Sequence, residues 1–166
     1  MYNRTLRCVG GALFLVLLAF APLAQSQQGP EIESSLTTET EVVAAGSTVR
    51  ALARFTMSEG WHVNGHKPLD PFLIPTAIQL SEDSGATVVN ALYPEHTLFE
   101  VGGDTLAVYE HDFTIGLVLK LAEDLPAGDH TLTGSLRYQA CNDKMCMPPE
   151  NLDLSFTVAV GTPGDP

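Results

Sequence analysis

Apolar and polar residues alternate with period two along much of the chain. Val49, Ala51, Ala53, Phe55 and Met57 alternate with Thr48, Arg50, Leu52, Arg54 and Thr56. Phe113, Ile115, Leu117, Leu119 and Leu121 alternate with Thr114, Gly116, Val118 and Lys120. Leu132, Leu136 and Tyr138 alternate with Thr131, Thr133, Ser135, Arg137 and Gln139. Leu152, Leu154, Phe156, Val158 and Val160 alternate with Asp153, Ser155, Thr157 and Ala159. Successive side chains of a strand point to opposite faces, so each run predicts a strand with one buried side. Shorter runs at 76–80, 87–92 and 106–109 predict further strands. Turn formers separate the runs, at Ala45-Gly46-Ser47, Ser84-Gly85, Gly102-Gly103-Asp104 and Ala127-Gly128-Asp129. No long stretch repeats its apolar positions at helical spacing. The expected fold is all-β, an immunoglobulin-like antiparallel β-sandwich over residues 41–160. Residues 27–40 are polar and read as a loose lead-in, and 161–166 as a flexible tail.

The first residues break the pattern. Arg4 and Arg7 precede an uncharged, mostly apolar run from Val9 to Phe20, and small residues follow at Ala21, Ala24 and Ser26. Residues 1–26 read as a signal peptide, with cleavage expected after Ser26. The run is short for spanning about 30 Å of hydrocarbon, which disfavours an uncleaved anchor. Cys8 precedes the apolar run, the wrong side for a lipid-acylated cysteine. An exported, periplasmic protein without stable membrane insertion is expected, in a compartment where disulfides persist.

Charge then narrows the partners. The 166-residue chain carries 8 basic and 20 acidic side chains, a net charge of −12. Removing residues 1–26 takes away Arg4 and Arg7 and leaves a net charge of −14. Nucleic acid is excluded as a partner, because its phosphates would be repelled and no basic cluster offsets that. The 45% hydrophobic content excludes an intrinsically disordered chain.

Removal of the signal also leaves two cysteines, Cys141 and Cys146, between two strong strand patterns. Asn142-Asp143-Lys144-Met145 can form a hairpin tip that puts the cysteines on facing strand ends. Cross-strand Cβ atoms lie about 4.5–5.5 Å apart, within reach of a disulfide after a small adjustment. Such a pair is either a structural staple or a redox bond. A six-residue loop yields only about 2 kcal/mol by chain entropy, which weakens the staple reading. A bridge at a hairpin tip is open to an attacking thiolate, and Lys144 between the thiols favours the thiolate form. Asp143 and Glu150 oppose it, and the spacing alone leaves both readings open. Without a Cys-x-x-Cys helix start, this is not a thioredoxin active site.

Tyr138-Gln139-Ala140-Cys141, the four-residue gap, and Cys146-Met147-Pro148-Pro149-Glu150 resemble the cysteine hairpin of the N-terminal periplasmic domain of the DsbD thiol:disulfide interchange family. Gly60-Trp61-His62-Val63-Asn64, through Pro71-Phe72-Leu73-Ile74-Pro75-Thr76, is similar to shorter, stand-alone DsbD-like domains. The resemblance spans residues 42–160. It implies an immunoglobulin-like domain whose cysteine pair shuttles reducing equivalents as a thiol:disulfide oxidoreductase, without a cofactor. It implies a thioredoxin-like electron donor and, as acceptors, periplasmic oxidised thiol proteins such as disulfide isomerases or cytochrome c maturation factors. DsbD itself continues into membrane and thioredoxin-like domains, whereas this sequence ends at Pro166, so the donor is expected on a separate polypeptide. The cysteine gap is also a residue shorter than in the best-known bacterial member. By position in the family, Cys146 forms the mixed disulfide and Cys141 resolves it. An aromatic cap loop shields the pair in the family, and Leu98-Phe99-Glu100 is the counterpart, with Phe99 as the lid. His62 and Tyr138 fall in the resembling motifs and are candidates for the active face.

The same residues admit other chemistries. His62 and His66 are four apart, but Gly65 and Pro68 argue against a helix that would align them on a metal. His96, His111 and His130 are scattered and read with them as surface or loop residues, so no metal site is expected. Cys141, Met145, Cys146 and Met147 form a soft-donor cluster, which makes a Cu(I)-binding module the runner-up. A non-catalytic interaction domain with a structural disulfide is the third reading. Trp61 reads as a core or sheet-edge aromatic.

Overall fold

The computed structural model describes residues 29–162. The expected signal segment 1–26 lies outside the described residues, as does most of the expected tail. The described chain forms twelve strands: β1 (Ile32–Thr38), β2 (Val42–Val43), β3 (Thr48–Met57), β4 (His62–Asn64), β5 (Ala77–Leu80) and β6 (Ala86–Leu92), then β7 (Thr97–Val101), β8 (Asp104–Glu110), β9 (Asp112–Leu121), β10 (Gly128–Tyr138), β11 (Ala140–Cys141) and β12 (Glu150–Val160). Two four-stranded sheets, β1-β3-β9-β6 and β2-β12-β10-β5, form the immunoglobulin-like sandwich. Phe55 and Ile115 from the first sheet share one core with Leu132, Leu136, Phe156 and Val158 from the second. Each of these residues stands at an apolar position of the period-two runs, so the alternation sets which face is buried.

One pair departs from the antiparallel expectation. Strand β2 runs parallel to β12, with Val42 beside Ala159 and Val43 beside Val160. The lead-in expected over 27–40 is also corrected, because Ile32–Thr38 pairs antiparallel with β3 along its whole length. It lies at a sheet edge, where only Ile32 and Leu36 pack against the core. An edge strand with one sparse apolar stripe carries little hydrophobic signal, which is why the segment reads as loop.

A third sheet, β11-β4-β8-β7, grows from one end of the sandwich. Strand β4 follows β3, β8 precedes β9, and β11 follows β10. The pairing of β3 with β9 therefore continues as that of β4 with β8. The break between β8 and β9 falls at His111, in the left-handed region at φ 49°. There Met57 N donates to His111 O at 2.8 Å, and His111 Nδ1 lies 3.0 Å from Met57 O. Histidine is among the residues that tolerate this conformation, and the kink redirects the strand pair. Strand β10 belongs to the other sheet, yet its continuation β11 pairs with β4. This crossing carries Cys141 onto the extension of the first sheet.

Candidate redox site

The cysteine hairpin is built by local hydrogen bonding. Asn142 N donates to Met145 O at 2.9 Å, and Met147 N donates to Ala140 O at 2.8 Å. Asn142 Oδ1 accepts from Lys144 N and Met145 N, both at 2.9 Å. An asparagine that bonds its own downstream amides nucleates a tight turn, so the tip forms from this short sequence alone. Cys141 and Cys146 face one another across an isolated bridge and are joined by a disulfide, with Cα atoms 4.0 Å apart. The two residues differ in exposure: Cys141 is 1% exposed, whereas Cys146 is exposed.

Strand pairing sets the surroundings of Cys141. Its register partner on β4 is His62, and the partner of His62 on β8 is Glu110. His62 is buried, which corrects its reading as a surface or loop histidine. The correction follows from the third sheet, which no periodicity announces because β4 has only three residues. Burial holds the His62 imidazole below its usual pKa, with the charge of Glu110 opposing. Its Nε2 is buried and has no hydrogen-bond partner among the described residues.

Phe99 lies over this histidine, with ring centroids 4.5 Å apart. The segment expected as a cap loop is a strand, β7, hairpinned with β8 through Gly102 and Gly103. Both glycines have positive φ, at 62° and 95°, which the turn requires. Leu98 is 59% exposed while Phe99 is half-buried, so apolar residues occupy both faces and blur the strand signal. Phe99, His62, Trp61 and Glu110 line a cleft of about 460 Å³ with Glu59, His111 and Asp143. Trp61 is half-buried and packs against the core, as expected of a sheet-edge aromatic.

Tyr138 does not line that cleft. It is buried in the sandwich core, and its hydroxyl donates to Glu150 Oε2 at 2.9 Å. Burial, the hydrogen bond and the Glu150 charge push its pKa up to about 12. Among the described residues no group of three or more His, Cys, Asp or Glu side chains could hold a metal ion.

The motifs also hide a positioning network. Asn64 is fully buried, and its Nδ2 donates to Ile74 O and Gln139 Oε1, both at 3.1 Å. Gln139 Oε1 also accepts from Ile74 N at 3.3 Å, and Gln139 Nε2 donates to Met147 O at 3.2 Å. The buried Thr76 hydroxyl donates to Asn64 O at 2.6 Å. These bonds tie β4 and the 65–76 loop to both arms of the cysteine hairpin. Asn64 and Gln139 were visible in the sequence only as polar residues inside the resembling motifs.

A disulfide on a short hairpin, one cysteine sheltered and the other exposed, at the end of an immunoglobulin-like sandwich, fits the class of thiol–disulfide exchange modules. Residues 33–157 match the family of the thiol:disulfide interchange protein DsbD, N-terminal domain, and the chain belongs to that family. Similar solved structures include the reduced N-terminal domain of DsbD from Neisseria meningitidis, at 14% identity and TM-score 0.46, covering 75% of this chain and 86% of that one. The N-terminal periplasmic domain of ScsB from Proteus mirabilis matches at 18% identity and TM-score 0.49, over 79% of this chain but only 46% of that one. A complex of the DsbD and PilB N-terminal domains from Neisseria meningitidis matches at 15% identity and TM-score 0.41, over 72% of this chain and 80% of that one. No curated protein matches the chain significantly. No helix among the described residues is long and apolar enough to cross a membrane.

Proposed function

We propose that the chain is a periplasmic thiol:disulfide oxidoreductase module that passes reducing equivalents through Cys141 and Cys146 to oxidised exported proteins. The observation that carries this reading is the unequal exposure of the two bonded cysteines on a hairpin tip. In the reduced protein, the Cys146 thiolate attacks a partner disulfide and forms a mixed disulfide. Cys141 then attacks Cys146 and releases the reduced partner. The exposed residue meets the partner, and the sheltered one acts only within the molecule. Phe99 over the neighbouring His62 serves as a lid that keeps stray thiols out and lifts when a partner docks. Membership of the DsbD family supports a thioredoxin-like electron donor and periplasmic acceptors. The net negative charge favours basic docking patches on those partners.

Capture in the periplasm tests the assignment. A Cys141→Ser variant should accumulate mixed disulfides through Cys146, identifiable by mass spectrometry after non-reducing separation. A Cys146→Ser variant should accumulate none. Equal trapping by the two variants would reverse or dissolve the roles, and no trapping by either would leave only a structural bond.

A further inference from the structure

Resolution of the mixed disulfide poses a chemical difficulty. The attacking form of Cys141 is the thiolate, and burial disfavours that form. Lys144 is exposed at the hairpin tip, whereas Cys141 is buried. The buried thiol therefore needs a proton acceptor of its own. His62 is its cross-strand register partner, and such partners project from the same face of a sheet with Cβ atoms about 4.5–5.5 Å apart. Nε2 of His62 is buried and unpartnered among the described residues, and a buried ring nitrogen left unpaired is costly. Phe99 on the imidazole shields it from water.

We propose that His62 accepts the proton of the Cys141 thiol through Nε2 as Cys141 resolves a mixed disulfide. The inference rests on the exchange reading above. The step balances: the Cys141 S–H bond breaks and its proton moves to His62. The Cys141 sulfur bonds to Cys146, and the Cys146–partner S–S bond breaks. The partner leaves as a thiolate and takes up the proton from the imidazolium. The chain's dithiol is oxidised to a disulfide and the partner's disulfide is reduced. Reduction of the pair by a donor runs the same transfer backwards. The groups around the imidazole suit the transient cation. Glu110 faces it from β8, Cys141 from β11, and Glu59, Asp143 and His111 line the same cleft. The charge of Glu110 favours the imidazolium, while burial, the larger influence, favours the neutral base that accepts the proton.

The reaction of the fully reduced protein with 5,5′-dithiobis(2-nitrobenzoate) separates the two thiols in time. Attack by Cys146 releases one thionitrobenzoate, and resolution by Cys141 releases the second. In the wild type, the second phase should be nearly independent of pH from 7 to 8. In His62→Gln it should slow by about 10-fold or more at pH 7 and rise about tenfold per pH unit, following the thiol's own ionisation. The first phase should be unchanged. A second phase in His62→Gln that superimposes on the wild type, or an equal loss in both phases, overturns the inference while leaving exchange intact. A wild type that releases no second equivalent sinks the exchange reading itself. Nitrogen NMR of His62 in the unmutated protein provides a measurement that does not depend on the variant folding. Its titration should differ between the dithiol and disulfide forms, and identical titrations would refute proton sharing.

Discussion

Reducing the Cys141–Cys146 bond should weaken the fold only modestly, and the structure sets the size of the effect. The bond closes a six-residue loop, so chain entropy assigns it about 2 kcal/mol. Little native structure depends on it. The Asn142 bonds at the tip and the Met147–Ala140 bond are independent of the sulfurs. Ala140 and Cys141 keep their pairing with Val63 and His62. For a domain of roughly 130 residues, unfolding entropy converts about 2 kcal/mol into a fall of about 8 °C in Tm. Thermal unfolding followed by circular dichroism, with and without excess phosphine reductant, measures this directly. Amide exchange in β11 should stay slow in the reduced form. A fall beyond about 20 °C, or loss of β11 protection on reduction, would show that the bond holds the domain together and is not free to cycle.

Other perturbations probe the lid and the frame. Phe99→Ala should speed reaction of the reduced pair with small disulfides, at a stability loss of about 1–2 kcal/mol for a half-buried ring; an unchanged rate would remove its shielding role. Gly134→Ala should destabilise by about 1–3 kcal/mol in urea unfolding, because a Cβ there would overlap Gln79 O and come within 2.9 Å of Leu80 Cα. Tyr138 contributes stability fully below pH 10, where it is neutral in both states, and loses it as pH rises toward its folded pKa of about 12. The loss amounts to roughly 2 kcal/mol, and Tyr138→Phe should reduce the alkaline slope in stability between pH 9 and 12 by that share, leaving the part due to Tyr109, whose pKa burial also raises.

The sandwich was legible because its long strands bury one face each. Met57, Leu121 and Val160 fall where period two places them, and the long runs correspond to β3, β9, β10 and β12. The third sheet was legible only at β8, through the short run 106–109. Strands β4 and β11 have three and two residues, too few for any period to register. They exist because β3 resumes as β4 after residues 58–61 and β10 resumes as β11 after Gln139, a tertiary effect that local pattern does not encode. The cysteine hairpin was visible because its pairing is local. The neighbourhood of His62 and Cys141 was not, because only the crossing of β11 between sheets brings them together.

That crossing separates the parts that must move from those that must not. Cys141 sits on a strand that continues β10 of the second sheet, whereas Phe99, the proposed lid, stands on β7, an edge strand paired only with β8. At its other end β8 is held by β4, with Val108 and Tyr109 buried. Releasing Phe99 thus requires bending only the outer arm of the β7–β8 hairpin, whose turn glycines have open space where a Cβ would stand. The Asn64–Gln139 bonds meanwhile hold the cysteine hairpin to β4 and the 65–76 loop. In the proposed exchange, such a site can move Phe99 off the imidazole while keeping His62 beside Cys141. A proton transfer within the pair requires that combination, because the same opening that admits a partner would otherwise scatter the groups that complete the exchange.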